Sequence, residues 1–488
     1  MRLFSCSTCE QRNGDLVLLR EQNSELVREN CELKQENHKL KQENDQLKQE
    51  SQRLRVELAT ARREANRQAS PFRRAKLKKR KGKPGQRKGH APANRPTPAP
   101  EQIDRVVDVP CHTCPDCDVE LVDPGVVVQY QTDLPPIVPI TTQFNIETGF
   151  CPCCRQRHQG RHADQISDAI GAAGNTLGPV VLTMAAELKH RLGVPYRKIC
   201  DFFKTYCELR VSPGALVRAE QRLANLARPT YDLLLDALRR SDVVHVDETG
   251  WRISSVNAWL WVFTNANVTI YAIRTGKGAR GHSVPADILG PDFDGFLVID
   301  GFSCYNVLDY KKGQCNAHLL RRAKKEREGA PPREQAHLDE LIKVIHDAAA
   351  LAERREAVSA ANYQRQTGQM EDRLINWLHT LPENPSDDLQ RLANHVRNHV
   401  TEWLTFLFHP EVPPTNNLAE RMLRPGVVTR KIGGCNKTLL GALVHSILAS
   451  VMVTCRQRGQ NFLDLARQLW QGREPQAIPI PIAPPPPN

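Results

Sequence analysis

Three acidic residues stand at positions where a charge is costly. Val243-Val244-His245-Val246 reads as a short buried strand that delivers Asp247 and Glu248, after which Thr249-Gly250 turns the chain away. Phe296-Leu297-Val298-Ile299 repeats the pattern and delivers Asp300, followed by Gly301. Glu420 lies in Thr415-Asn416-Asn417-Leu418-Ala419-Glu420-Arg421, behind Pro413-Pro414, where Thr415 or Asn416 is placed to cap a helix. A carboxylate at the end of a buried strand needs a compensating partner. A divalent cation is one such partner, and Mg²⁺ is commonly held by one or two carboxylates plus phosphate oxygens. Asp247, Asp300 and Glu420 are therefore read as one site for Mg²⁺ or Mn²⁺. Glu248 is expected to pair with a nearby arginine. His245 and His318 are expected either behind the ligands or in purely structural roles.

A second chemistry lies in the cysteines. There are 15, an odd number, and several come in pairs. That favours metal ligation over disulfides. Cys114-Pro-Asp-Cys117 and Cys151-Pro-Cys153-Cys154 are two knuckles that together offer four thiolates to one structural Zn²⁺. Cys114, Cys117, Cys151 and Cys154 are the preferred set, with Cys111 and Cys153 as spare candidates. Strands at Val126–Gln131 and Thr141–Ile146 are expected to bridge the knuckles within a zinc-binding domain at 102–164. Cys6 and Cys9 lack a second pair nearby and are read as free thiols.

The elements that must position these groups give a multidomain α+β chain. With 488 residues, two to four domains are expected. Residues 13–66 read as a coiled coil. Leu19, Leu26, Leu33, Leu40, Leu47 and Leu54 recur every seven residues, with Asn23, Asn30, Asn37 and Asn44 at the other core position. Glu29, Glu36, Glu43 and Glu50 face Lys34, Lys41, Lys48 and Arg55 across a parallel homodimer. Residues 67–101 form a basic linker whose Lys78, Lys79, Arg80 and Lys81 are suited to neutralising phosphates. Residues 165–232 read as helical and helix-turn-helix-like, with Ser212-Pro213 opening a helix. That helix turns Leu216, Ala219, Leu223 and Leu226 inward and Arg218, Gln221 and Arg222 outward.

From 241 to 317 the pattern turns to strands. Ala258–Thr264 and Val268–Arg274 flank Asn265-Ala266-Asn267, a hairpin signal. A glycine-rich basic loop, Thr275 to Gly281, leads to a short helix near Ala286–Leu289 and then to the Asp300 strand. This is the order of a ribonuclease-H-like catalytic core, in which the first and fourth strands are neighbours. A helical insertion at 318–409 (Leu338–His346, Leu374–Leu378, Leu389–Val400, Trp403–Phe408) separates it from a second core part at 410–470. A proline-rich tail follows at 471–488.

The net charge of +12 and pI near 9.1 favour a polyanionic partner. No apolar run follows Met1, and the longest apolar stretch, Leu439 to Val453, is interrupted by His445 and two serines. A soluble intracellular chain with no membrane partner is expected.

Asp247-Glu248-Thr249-Gly250-Trp251, Val298-Ile299-Asp300-Gly301, Cys315-Asn316-Ala317-His318 and the Thr415–Arg421 block together resemble the transposases of the insertion sequence 66 family, over roughly residues 15–470. The resemblance implies a DDE transposase. Asp247, Asp300 and Glu420 would hold two Mg²⁺ ions. The enzyme would cut element ends and join the freed 3′ hydroxyl to target DNA. It implies element ends and target DNA as partners, with accessory transposition proteins as further candidates, and a location on DNA in the bacterial cytoplasm (the nucleoid). Arg421 and Arg424, on the helix of Glu420, are expected DNA contacts. The same features also suit a DNA-binding regulator with structural acids, a plain nuclease or an oligomeric scaffold.

The heptad pattern makes its own prediction. Deleting residues 1–66 should leave a folded chain with weakened self-association. Sedimentation of both chains at equal concentrations checks this, and equal masses throughout would remove the coiled coil.

Overall fold

The computed structural model describes residues 95–472 apart from 124, residue 478, and most of the stretch 23–50. The chain divides into two compact units, Met1–Ala99 and Pro100–Asn488. In the first, the described residues between 23 and 50 are helical (α1). Leu33, Leu40 and Leu47 are each more than half exposed along it. Leu19, Leu26, Leu54, Asn30, Asn37 and the basic run Lys78, Lys79, Arg80 and Lys81 lie outside the described residues.

The second unit opens with an irregular stretch and a small hairpin, β1 (Thr148–Cys151) and β2 (Gln156–Gln159). The strands expected at 126–131 and 141–146 do not form. Pro135, Pro136 and Pro139 interrupt the stretch between them, and Val126, Val127 and Ile140 are almost wholly exposed, with no core to pack on.

Three helices follow: α2 (Pro179–His190), α3 (Tyr196–Cys207) and α4 (Pro213–Arg239). Ser212 caps α4 as expected, its hydroxyl accepting from Ala215 N at 3.2 Å. The buried face of α4 runs Leu216, Ala219, Leu223 and Ala227; Leu226 is exposed, one position off the helical stripe.

The central sheet has five strands: β3 (Val243–Ile253), β4 (Val256–Thr264), β5 (Thr269–Thr275), then, after helix α5 (Ser283–Leu289), β6 (Phe296–Ile299) and β7 (Lys311–Gln314). Their order is β5-β4-β3-β6-β7. The first three form an antiparallel meander; β6 is parallel to β3, and β7 to β6. The expected hairpin stands, with Asn265 Oδ1 accepting from Asn267 N and Val268 N at 2.8 Å each. β3 does not turn away at Thr249-Gly250. It outruns β6 after His245 but keeps pairing with β4 to Ile253, so Asp247 lies inside a strand and past the end of its parallel neighbour.

Helices α6 (Asn316–Gly329), α7 (Pro332–Glu353), α8 (Ala360–His379), α9 (Asp387–Asn398) and α10 (Thr405–Phe408) gather around a core of their own, with Leu341, Val344, Trp377 and Leu392 at its centre. Helix α11 (Asn417–Gly433) then crosses the sheet beside β3 and β4. Helix α12 (Leu439–Gln457) is long and apolar enough to span a membrane, yet most of it is buried against β5 and α4. Its polar side chains serve the edge strand: Ser450 Oγ accepts from Tyr271 N at 2.8 Å and Thr454 Oγ1 from Thr269 N at 3.1 Å. Those N–H groups would otherwise be buried without partners. Helix α13 (Phe462–Trp470), the last helix among the described residues, packs against α2 and α4.

α11 approaches the sheet this closely because residue 426 is glycine. A Cβ there would lie 2.3 Å from Leu260 Cδ2, and Leu260 is fully buried. Gly426→Ala should cost about 1–3 kcal/mol by overpacking. Leu260→Ala alone should cost about 2–5 kcal/mol, and the double variant should lose less than the sum of the two single ones. Thermal melts of the three variants check this, and an unchanged melting temperature for Gly426→Ala would show that α11 is free to lift.

Candidate active site

The register of the sheet brings the first two acids together. Val243, Val244 and His245 pair with Phe296, Leu297 and Val298, and continuing that register sets Asp247 beside Asp300. Asp247 is buried; its Oδ1 accepts from Glu248 N at 2.8 Å. Asp300 Oδ1 accepts from Phe302 N at 3.2 Å, and the chain leaves the sheet through Gly301 at φ +84°. That turn requires glycine on two counts. The backbone is left-handed, and a Cβ would meet the His395 ring of α9 at 3.0 Å.

Glu420 arrives on the first turn of α11, and Asn416 fixes where that helix starts. Asn416 is fully buried, and its side chain does not cap the helix as expected. Instead its Nδ2 donates to Val246 O at 2.7 Å, and its Oδ1 lies 2.9 Å from His245 Nδ1. The first bond sets the amide's orientation, so His245 must carry its proton on Nδ1 and donate it. Asn416 N donates to Cys315 Sγ at 3.1 Å, while Cys315 N donates to Ile299 O at 2.8 Å, beside Asp300. Glu420 N in turn donates to Asn416 O at 3.2 Å. One asparagine thus ties together the three segments that carry the acids.

The acids feel one another. Burial first, then the charges of Asp300, Glu248 and Glu420, push the Asp247 carboxyl well above the usual carboxylate range. Glu248 is pushed up to about 7 by burial and Asp300, against the pull of Arg280. The expected arginine partner of Glu248 is Arg280, with Nε and Nη2 at 3.0 and 2.9 Å from Oε1, and Tyr305 donates to Oε2 at 3.1 Å. Among the described residues, no lysine or arginine lies within ion-pair distance of Asp247, Asp300 or Glu420. Glu420 has only His318, whose Nε2 is 3.8 Å from Oε1. Both Glu420 Oε1 and His318 Nδ1 are buried without a hydrogen-bond partner, and burial holds the His318 pKa below its ordinary value. Sequence reasoning missed Asn416's tie, His395 and Arg280. The only advance signal was the Asn-Asn pair after two prolines and the basic glycine-rich loop.

Among the described residues, no three His, Cys, Asp or Glu side chains stand close enough to close around an ion. For Mg²⁺ this is no obstacle, since it takes one or two carboxylates and fills its shell with water and phosphate oxygens. An all-oxygen donor set with one orphaned carboxylate oxygen fits it. For Zn²⁺ the fit is partial. Cys114 and Cys117 meet in one turn and Cys151 and Cys154 in another. In both, the residue after the last cysteine, Asp118 or Arg155, is left-handed. The two pairs are not brought together, so a four-thiolate site is not assembled.

Of the expected DNA contacts, Arg218, Arg222, Arg421 and Arg424 are all exposed, and Arg222 lies over the Trp470 ring at 5.5 Å.

The raised carboxyl of Asp247 has a measurable consequence. A group that holds its proton more tightly when folded than when unfolded destabilises the fold above its folded pKa. That penalty fades as pH falls through the folded value and is gone below the unfolded one, about 3.9. In chelator, Asp247→Asn should therefore melt higher than the parent at pH 8, with the gap closing towards pH 4. A variant that melts lower at every pH would mean that Asp247 is a structural ion.

Comparison with curated proteins gave no match. The transposase IS66 family matches residues 174–443, more than half of the chain and the whole span from α2 through the three acids into α12. The chain belongs to the transposase IS66 family.

Proposed function

We propose that this chain is a DDE transposase that cuts DNA at element ends and joins the freed 3′ hydroxyl to target DNA, using Asp247, Asp300 and Glu420. The observation that carries this is a contrast between neighbours. Glu248 has a cation, Arg280, and a tyrosine; among the described residues the three acids beside it have no lysine or arginine within ion-pair distance. Structural carboxylates are paired, because an unpaired buried charge is strongly destabilising. A buried Asp247 with Asp300 and Glu420 half-buried nearby, and no lysine or arginine among the described residues to offset them, suits a cationic ligand brought from outside.

The strand order is the one expected of a ribonuclease-H-like sheet, with the first and fourth strands adjacent, Asp247 within the first and Asp300 directly after the fourth. Mg²⁺ or Mn²⁺, two per site, would be held by Asp247, Asp300 and Glu420, and would supply charge stabilisation and an activated nucleophile for an in-line displacement at phosphorus. The protein's own share is positional. Asn416 and His245 hold β3 and α11 in register, Gly301 turns Asp300 towards Asp247, and His318 stands behind Glu420. Arg218, Arg222, Arg421 and Arg424, with the run Lys78, Lys79, Arg80 and Lys81, would meet the DNA backbone. The exposed leucines of α1 suit a parallel homodimer that holds two ends. Zinc binding by Cys114, Cys117, Cys151 and Cys154 would require the two thiol pairs to close on each other, and no step here rests on it.

Asp247→Asn, Asp300→Asn and Glu420→Gln should each keep folding and DNA binding while losing cleavage and joining by ~10³-fold or more. Glu248→Gln should do less harm. The assay is strand cleavage and joining on an end-bearing duplex with Mg²⁺. Substantial cleavage by Asp300→Asn, in a preparation free of contaminating nuclease, would leave a DNA-binding regulator as the better reading.

A further inference from the structure

The basic glycine-rich loop between β5 and α5 is not used by the three-acid reading, yet it carries the most elaborately held arginine beside the site. Arg280 lies between two rings, 4.4 Å from the Trp259 centroid and 4.0 Å from that of Phe302. Its Nε and Nη2 both reach Glu248 Oε1, and Glu248 is fixed from its other oxygen by Tyr305. The loop is pinned one residue earlier, where Trp261 Nε1 donates to Ala279 O at 2.9 Å. Gly276 and Gly278, at φ +87° and +86°, give the loop a path that other residues rarely follow.

The arrangement is costly if its purpose is stability alone. The Glu248 side chain is 2% exposed, and burying such an ion pair is often no better than packing two apolar side chains. What the pair and the two rings achieve is a guanidinium held in one plane and one direction. Its side chain remains 44% exposed, and Nη1 has no protein partner among the described residues. Glu248 leaves β3 from the face opposite to Asp247; the link to the acids is Phe302, whose ring Arg280 covers and whose N–H donates to Asp300 Oδ1 at 3.2 Å, so this open edge lies on the Asp300 side of the site. A planar, pre-oriented guanidinium with a free edge matches a phosphate better than any other group on a nucleic acid.

We infer that Arg280 binds one backbone phosphate of the DNA strand that enters the Asp247–Asp300 site. The inference rests on the reading of those acids as the catalytic site. Its occupant is a phosphodiester; Lys277, exposed on the same loop, adds charge but no fixed geometry.

The test uses the full chain and a set of duplexes carrying the end of the encoding element, each with one backbone phosphate replaced by a neutral methylphosphonate. Affinity is measured in Ca²⁺. The parent should lose about 10- to 100-fold in affinity at one phosphate near the scissile bond, as for one charge-assisted contact. Arg280→Ala should bind unmodified DNA more weakly by a similar factor. At that phosphate alone it should lose nothing further, while remaining sensitive at the others. Arg280→Lys should recover part of the affinity but not the position-specific response. A merely structural arginine would weaken all duplexes alike. If Arg280→Ala keeps the parent's full pattern of sensitivity, the inference is overturned. If Arg280→Ala does not fold, Arg280→Gln, whose planar amide still fits between the rings, takes the same series with the same criteria. Cleavage by Asp300→Asn would sink the catalytic reading while leaving this binding pattern intact, so the two failures are distinguishable.

Discussion

A single buried amide sets the geometry on which the rest depends. Asn416 is fully buried, so each of its polar groups must find a partner or cost roughly 1–3 kcal/mol. Those partners are Val246 O and His245 next to Asp247, Cys315 next to the Asp300 strand, and Glu420 N one helical turn on. The bonds are mutually restrictive. Sliding α11 by one residue would break all of them at once, and slipping β3 by one would turn Asp247 to the opposite face. The long excursion between Asp300 and Glu420 therefore does not loosen the site. Helices α6 to α10 carry their own core, and the chain returns from them to one bonded position.

That frame works against electrostatics. Asp247 is buried near three other carboxylates, and among the described residues only Glu248 is offset by an arginine. Such a cluster persists because the surroundings are over-determined: Gly426 lets α11 lie on Leu260, and α12 gives its hydroxyls to the edge strand β5. Repulsion stored this way is relieved when a cation or a proton arrives. On the proposed reading, a divalent cation is the ligand that would neutralise them.

Much of this was legible in the sequence. The strands that carry Asp247 and lead into Asp300 were readable because buried β-branched runs are locally conspicuous, as in Val243–Val246 and Val298–Ile299. The Asn265–Asn267 hairpin and the Ser212 cap are local signals too, and both formed. What was not legible depended on partners far away in sequence. β7, Lys311–Gln314, has no apolar pattern and exists because β6 offers it an edge. β3 runs on through Thr249-Gly250 because β4 pairs with it. Helix α6 is mostly charged and shows only one turn of apolar spacing, so its tie through Asn316 to Trp403 O was invisible. The valines at 126–128 read as a strand by propensity alone, but with no second layer to cover them propensity was not enough. Asn416 read as a cap because local rules describe helix starts, while its real partners are some 170 residues upstream.

The central claim is that Asp247, Asp300 and Glu420 hold metal at one place. Replacing Mg²⁺ by Fe²⁺ and adding peroxide makes the bound ion cut the polypeptide nearest to it, and mapping the new termini reads the site directly. Cuts clustered at three separate points, within β3 around 247, after β6 around 300 and at the start of α11 around 420, all suppressed by excess Mg²⁺, are the predicted result. Cuts confined to one of these segments, or found only elsewhere in the chain, would contradict it.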